Sequence, residues 1–130
     1  MKECNIRSYK ISHERFSVEA LFQRIGNDIL LSVWGGEAHI GAVAMAEPRA
    51  SLSDPEKVSS TVSVHCYTGH KEDDLVKKAA EQIASAFSAR TVVVAGLHWD
   101  DLTEHEVSEV VEIAQALFKK IIKEERDGSK

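Results

Sequence analysis

The stretch from Val58 to Ala95 most constrains the fold, because it reads as a strand, an amphipathic helix and a second strand. Val58 to Tyr67 alternates between two faces, and Thr91 to Ala95 is short and wholly apolar, as in a buried central strand. Between them an apolar stripe repeats with helical spacing: Leu75, Val76, Ala79, Ala80, Ile83, Ala84 and Phe87. Such a crossover makes its two strands parallel, so their carboxyl ends lie at the same edge of the sheet.

Three further strands are predicted before this unit. Phe16 to Gln23 alternates with a period of two, and Gly26-Asn27-Asp28 turns the chain into Ile29 to Trp34, which predicts a hairpin. Ala38 to Ala46 reads as a third strand, and a loop follows from Glu47 to Lys57. The side chains of this third strand are small, so either an overlying helix or a flat ligand could approach it closely.

A long helix is predicted at the end of the chain. Thr103 and Glu106 have the spacing of a capping box, and a continuous apolar stripe runs from Val107 to Ile122. The predicted fold is α+β: a two-layer sandwich in one domain, with a mixed sheet of about five strands in the order β-β-β-β-α-β-α and both helices on one face. Residues 1–14 are left as an arm or an edge strand, and residues 124–130 are predicted to be a disordered tail.

Composition limits the partners of the chain. With 130 residues and a net charge of −5, it lacks the basic surface that nucleic acids or anionic membranes require. Cys4 and Cys66 lie far apart in the sequence and suit a reducing compartment. Neither a signal peptide nor a membrane-spanning run is apparent, so we expect a cytoplasmic protein.

Gly69-His70-Lys71 precedes the first helix and is the best candidate for an anion site. The first N–H groups of a helix have no partner within it and carry the positive end of the macrodipole, which favours phosphate or carboxylate. Lys71 would add a positive charge. Alternatively, Asp73 and Asp74 satisfy this helix end, and the tripeptide is only a solvated turn.

The topology gathers several segments at one edge of the predicted sheet. Gly69 to Lys71 and Gly96 to Asp100 follow parallel strands, and an antiparallel third strand would add Trp34 to Gly36 and His39. This crevice suits an aromatic ligand that carries a phosphate, with the tryptophans as stacking surfaces. Arg49 belongs at the opposite edge, from which it could reach a site by a long loop or from a second subunit.

The hydroxyl-rich face of the fourth strand has two interpretations: it is the solvated side of the sheet, or it hydrogen-bonds to a bound polar molecule. The standard catalytic motifs are missing, since neither a complete P-loop nor a G-x-S-x-G sequence occurs. A metal site could draw on four histidines, although they lack close ligand spacing: His39, His65, His70 and His98. We predict no catalytic and no metal-binding residues.

Five strings occur in a fixed order along the chain: Ile25-Gly26-Asn27-Asp28, Trp34-Gly35-Gly36-x-x-His39-Ile40-Gly41-Ala42-Val43-Ala44, Pro48-Arg49, Gly69-His70-Lys71-x-Asp73-Asp74, and Val93-Val94-Ala95-Gly96-Leu97-His98-x-Asp100. The ordered set resembles the small D subunit of gallate-type decarboxylases, a family of prenylated-flavin chaperones. The resemblance covers most of the chain from about Phe16 to Asp100. It implies a non-catalytic protein that binds prenylated FMN, or FMN, and delivers it to a UbiD-like decarboxylase of hydroxyaryl acids.

The resemblance and the predicted crevice together give each candidate residue a role. Gly69, His70 and Lys71 would bind the phosphate, while the ring or ribityl groups would contact His39, Ser59, Ser60 and Thr61. Trp34 would stack on the ring, His98 and Asp100 would close the crevice, and Arg49 would come from the partner in a homodimer. A flavin prenyltransferase is a further candidate partner. Two alternatives remain: a small histidine-based metal-dependent enzyme, and a purely structural decarboxylase subunit.

Overall fold

A computed structural model describes residues 5–67 and 72–128 of the chain. In these ranges the strands and helices are β1 (Asn5–His13), β2 (Phe16–Ile25), β3 (Asp28–Gly36), β4 (Ala42–Ala50), β5 (Val58–Cys66), α1 (Asp73–Phe87), β6 (Thr91–His98) and α2 (Glu104–Gly128). The predicted α+β class and mixed sheet are confirmed. The strand number is corrected, because the described residues form six strands and not about five.

The sheet has the order β1-β2-β3-β6-β4-β5, so β6 lies in its interior. On one side β6 pairs in parallel with β3, from Ile29↔Thr91 to Gly36↔His98. On the other side it pairs antiparallel with β4. Val93 and Ala95 of β6 are fully buried, as the apolar sequence of this strand predicts for a central position.

The additional strand, β1, forms one edge of the sheet and pairs with β2 along its whole length. Tyr9 is its one buried side chain, since the others are exposed or only partly covered. Because β1 buries so few side chains, its sequence shows only a weak alternation of apolar and polar residues. The sequence alone therefore could not decide whether residues 1–14 form an arm or an edge strand.

The two helices of the described ranges cover the same face of the sheet. α1 packs on β4, β5 and β6, and α2 packs on β1 and β2. The core between the layers contains small side chains in β4 and large ones in β2, β3 and α2; its fully buried members include Phe16, Phe22, Leu31, Ala42, Ala44, Ile83, Leu117, Phe118 and Ile121. Neither α1 nor α2 has the length and apolar content that a membrane-crossing helix requires.

The other face of the sheet, here called the open face, is not covered by a helix in the described part of the chain. It carries the side chains that alternate with the core residues: Leu21, Leu30, Ser32, Trp34, Val43, Met45, Val92 and Val94. Most of them are partly exposed, and Met45 is 55% exposed. An apolar sheet face left in this state is typical of a surface that binds a ligand or another protein.

β4 continues further than its sequence predicts. It extends through Pro48 to Ala50, so the connection to β5 is shortened to residues 51–57. Its pairing with β6 ends at Ala46, while its pairing with β5 continues to Ala50↔Val58. Proline is tolerated here because its missing N–H falls in the part of β4 that projects beyond β6.

The capping box at the start of α2 is confirmed. The N–H of Thr103 donates to Glu106 Oε1, and the N–H of Glu106 donates to Thr103 Oγ1, each at 3.1 Å. The bond from the Thr103 N–H, together with the Arg15 guanidinium, lowers the pKa of Glu106. The box thus satisfies exposed N–H groups that the first turn of the helix cannot pair internally.

Residues 124–128, which the sequence analysis assigned to a tail, are part of α2 in the structure, because the helix continues to Gly128. Glu125 faces inward and accepts a 2.5 Å hydrogen bond from the Tyr9 hydroxyl. Arg7 and Arg24 lie 3.8 and 3.7 Å from its carboxylate oxygens. The last turn is therefore anchored by residues more than a hundred positions away, which local charge patterning cannot reveal.

Tyr9 provides a spectroscopic test of this anchor. Burial, the hydrogen bond to Glu125 and the charge of that carboxylate raise the pKa of Tyr9 from 10.0 to about 12. Because the pKa is higher in the folded than in the unfolded chain, the stabilisation is complete below pH 10 and is lost as the pH rises through 12. Tyr67→Phe leaves Tyr9 as the sole tyrosine, and the ultraviolet absorbance of this variant should then titrate near pH 12.

The matched variant is Tyr9→Phe, which should lack this high-pH step and should unfold more easily, since Glu125 would lose a hydrogen-bond donor in a buried position. A titration midpoint near pH 10 in a Tyr67→Phe protein that circular dichroism shows to be folded would contradict the assignment.

Candidate functional site

One edge of the sheet gathers most of the predicted site residues and is here called the carboxyl edge. β3, β5 and β6 end there, and β4 begins there. β5 and β6 point in the same direction, as the crossover predicts, but β4 lies between them. The direct parallel neighbour of β6 is β3, which brings Gly36 opposite His98.

A short loop, residues 37–41, crosses the end of β6 to join β3 to β4. Its ends are fixed by backbone hydrogen bonds of 2.8 Å, from Glu37 N–H to the His98 carbonyl and from Gly41 N–H to the Ala95 carbonyl. The loop passes so close to Gly96 that a Cβ there would overlap the carbonyl of His39. Glycine at position 96 is therefore required for the crossing, and the crossing places His39 over the strand end.

The side chain of Glu72 contacts this loop at His39 and Gly41. Its side chain is nine-tenths buried, and Oε1 accepts a 3.2 Å hydrogen bond from the N–H of Leu97 and lies 3.3 Å from His39 Nε2. The carboxylate packs against Gly41, where a Cβ would overlap it. Among the described residues, no hydrogen-bond donor reaches Oε2. Glu72 thus joins the start of α1, the end of β6 and the loop.

Sequence reasoning missed Glu72, because it reads as one of three acidic residues at a helix start. Asp73 and Asp74 follow it in the first turn of α1 and are exposed, as such residues usually are. Only the contact with Leu97 and the loop distinguishes it. A glycine at position 41 is a weak signal that something approaches the chain closely there, but it does not identify the partner.

His39, His98 and Asp100 are brought together at the carboxyl edge. The His39 and His98 rings are arranged edge to face with centroids 6.4 Å apart, and His98 Nε2 lies 3.0 Å from Asp100 Oδ1. His39 Nδ1 lies 2.9 Å from the carbonyl oxygen of Glu37, and His39 Nε2 faces Glu72 Oε1 at 3.3 Å. Its orientation is fixed, whereas the His98 side chain is about half exposed.

A cavity of about 450 Å³ opens beside this cluster on the open face. Its lining is mostly apolar, with one hydroxyl and one imidazole: Leu30, Ser32, Val33, Trp34, Ala38, His39, Ile40 and Val94. The volume lies within the range of roughly 300–1,000 Å³ that small-molecule sites occupy. Trp34 offers an aromatic surface, so the residues present fit a flat, largely apolar ring with a few polar atoms.

Trp99 has a structural position. Its indole meets the Phe16 ring edge to face at a centroid distance of 5.2 Å and packs against Gly35 and Gly36. It thereby covers the end of the hydrophobic core. Of the predicted stacking residues, Trp34 therefore lines the cavity and Trp99 supports the strands behind it.

Four predicted site residues lie elsewhere. Arg49, Ser59 and Thr61 are at the opposite end of the β4–β5 hairpin, where Arg49 Nε donates to Thr61 Oγ1 at 2.9 Å. Ser59 is seven residues from Cys66 at the carboxyl edge, roughly 23 Å along an extended strand. Ser60 points to the helix-covered face, where its hydroxyl donates to the Glu81 carbonyl at 3.4 Å. None of these four residues lines the cavity beside Trp34.

The predicted phosphate-binding residues Gly69, His70 and Lys71 lie outside the described residues. The residues on either side of them are at the carboxyl edge. The N–H of Tyr67 donates to the Gly41 carbonyl at 2.8 Å, and Glu72 contacts the end of β6.

Three comparisons place this geometry among known proteins. The profile of the prenylated flavin chaperone LpdD-like domain matches residues 12–126. Protein LpdD of Lactiplantibacillus plantarum is 26% identical over 110 residues, which cover 82% of this chain and 76% of that protein. A chain from a crystal structure of a chaperone complex for yeast 20S proteasome assembly shares the fold, with a TM-score of 0.56, 15% identity and coverage of 93% of this chain and 97% of that one. Because the profile spans nearly all of the sequence, the chain belongs to the prenylated flavin chaperone LpdD-like family and is a non-catalytic accessory protein.

Proposed function

We propose that this protein binds prenylated FMN at the carboxyl edge and delivers it to a UbiD-like decarboxylase of hydroxyaryl acids. The observation that carries the proposal is the apolar cavity beside Trp34 and His39, in a chain of the prenylated flavin chaperone family. The cofactor supplies the electronic chemistry of decarboxylation in the enzyme that receives it, so this chain has only to bind, orient and release it.

The ring system would occupy the cavity on the open face. Leu30, Ile40 and Val94 provide apolar walls, and burial of a planar aromatic surface against them is favourable through the hydrophobic effect. Trp34 adds an aromatic surface, while Ser32 and His39 supply the few polar groups that fix an orientation. His39 is suited to this role because Nδ1 lies 2.9 Å from the Glu37 carbonyl oxygen and Nε2 faces Glu72 Oε1 at 3.3 Å.

The phosphate would be bound by Gly69, His70 and Lys71, with His98 and Asp100 closing the same edge. The protein carries a net charge of −5, and the first turn of α1 contains Asp73 and Asp74. A helix dipole alone would be offset by these carboxylates, so the binding of a phosphate depends on Lys71 as a local positive charge.

A homodimer would give roles to the remaining candidates. Arg49, Ser59 and Thr61 lie outside the lining of the cavity of their own chain, but a second copy could present them. The apolar open face is a surface on which two copies could meet. In this arrangement Arg49 would contact the cofactor bound by the partner, as its position at the far edge suggests.

The proposal is tested by loading and transfer. The protein, incubated anaerobically with prenylated FMN and freed of unbound flavin by gel filtration, should retain a flavin absorbance spectrum. Mixing the loaded protein with a flavin-free UbiD-like decarboxylase should then restore decarboxylation of a hydroxyaryl acid. Free cofactor at the same concentration is the control for transfer. A protein that binds the decarboxylase but retains no flavin would instead be a structural subunit.

The position of the ring is tested by filling the cavity. Val94→Phe should weaken flavin binding about tenfold or more, equivalent to about 1.4 kcal/mol, because the larger side chain occupies the space of the ring. Met45→Phe is the matched control, since Met45 lies on the same face but outside the lining of the cavity. Fluorescence titration measures both affinities, and equal losses in the two variants would refute this location.

The phosphate assignment is tested by Lys71→Ala. Loss of a charged hydrogen bond should weaken flavin binding by about 1–3 kcal/mol and leave folding intact. Lys77→Ala, an exposed lysine on α1, removes the same charge away from the helix start and should bind as the wild type does. Riboflavin, which lacks the phosphate, should not distinguish Lys71→Ala from the wild type; equal FMN affinities of wild type and Lys71→Ala would refute the assignment.

A further inference from the structure

A second group of ligating side chains lies where the β1–β2 turn meets the first turns of α2. His13 ends β1, Glu14 lies in the turn, and Glu109 is on α2. One potential ligand atom from each of these residues lies within 4.8 Å of the others. His105 is one turn before Glu109, and its Nε2 is 2.8 Å from Glu109 Oε1. The group therefore combines one imidazole and two carboxylates from separate elements, and His105 contacts one of these carboxylates.

Glu109 shows that this group is more than a set of solvated surface residues. Its side chain is only 19% exposed, and its Oε1 is taken by His105. Its Oε2 is buried and has no hydrogen-bond donor among the residues that the structure describes. A buried carboxylate oxygen without a partner is unfavourable, whereas a cation at the same place satisfies it.

The neighbouring arginine does not fill this role. Arg15 follows Glu14, but its guanidinium is directed to Glu106. The distance from Arg15 Nη2 to Glu106 Oε2 is 3.0 Å. Glu106 also forms the capping box with Thr103. The Arg15 guanidinium is therefore paired with Glu106 and not with Glu109 Oε2. Glu106 precedes Glu109 by about one helical turn.

We propose that His13, Glu14 and Glu109 bind one divalent transition-metal ion of the Zn²⁺ class. Imidazole nitrogen combined with carboxylate oxygen favours such ions over Ca²⁺ and Mg²⁺, which prefer oxygen ligands alone. Two carboxylates balance the charge of the ion. Ligands at about 2.0–2.2 Å from Zn²⁺ are closer to one another than 4.8 Å, and the exposed side chains of His13 and Glu14 are free to rotate inward.

The ion would clamp the β1–β2 turn to the start of α2. The existing links between these elements include the Arg15–Glu106 ion pair near this end and the Tyr9–Glu125 bond near the other. A bound metal adds a further link that exists only in the folded chain, so it stabilises the fold in proportion to its saturation. None of the three proposed ligands lines the cavity beside Trp34, so the clamp does not depend on flavin binding.

The test is a titration of the chelator-treated full chain with Co²⁺, followed by visible absorbance, and with Zn²⁺, followed by calorimetry. We expect one equivalent to bind, a d–d spectrum typical of mixed nitrogen and oxygen ligands, and a rise in the melting temperature with Zn²⁺. His13→Gln and Glu109→Gln should each weaken binding about tenfold or more. His65→Gln, an exposed histidine on β5, is the matched control and should bind as the wild type does.

Circular dichroism of each variant without metal verifies that folding is retained. Absence of saturable binding near one equivalent would overturn the proposal, as would wild-type affinity in both His13→Gln and Glu109→Gln. Loss of binding in His98→Gln with retention in His13→Gln would also overturn it, because the metal would then lie at the carboxyl edge.

Discussion

The insertion of β6 between β3 and β4 is the constraint on which the rest of the architecture depends. β3 and β4 are consecutive in the chain and antiparallel to each other, yet β6 is hydrogen-bonded between them. The connection of residues 37–41 must therefore span two interstrand spacings, about 10 Å, across the end of β6. A tight hairpin cannot join β3 to β4. Residues 37–41 instead form a longer connection, here called the arch, whose two ends are held by backbone hydrogen bonds to β6.

This arch creates the site. It places the His39 ring over the end of a buried strand, where Gly96 has no side chain to block it. Glu72 then connects the arch to the start of α1, so three elements that are distant in sequence share one buried carboxylate. Because the arch also forms one wall of the cavity beside Trp34, the geometry of the candidate flavin site follows directly from the strand order.

Local periodicity was sufficient for most of the fold, and its failures have physical reasons. The crossover, the capping box and the shared edge of β3, β5 and β6 were predictable because each rests on a short pattern or a rule of handedness. Edge strand β1 and the last turn of α2 could not be predicted in this way, because they are joined by the hydrogen bond between Tyr9 and Glu125, which are 116 residues apart in the sequence. Ser60 was assigned together with Ser59 and Thr61, although alternation places it on the opposite face of β5. Glu72 carried no local signal at all, because its role depends on the loop that crosses β6.

The two faces of the sheet differ in packing, and the candidate ligand site lies on the open face. One face is sealed by α1 and α2 and holds the close-packed core, so its interior cannot admit a ligand without losing packing. The cavity instead lies on the open face, where its walls are partly exposed side chains of β3 and β6. A ligand bound there leaves without any opening of the core, so its release is limited by the contacts it makes and not by unfolding. Such an open site is compatible with the proposed function, in which the ligand must be released again.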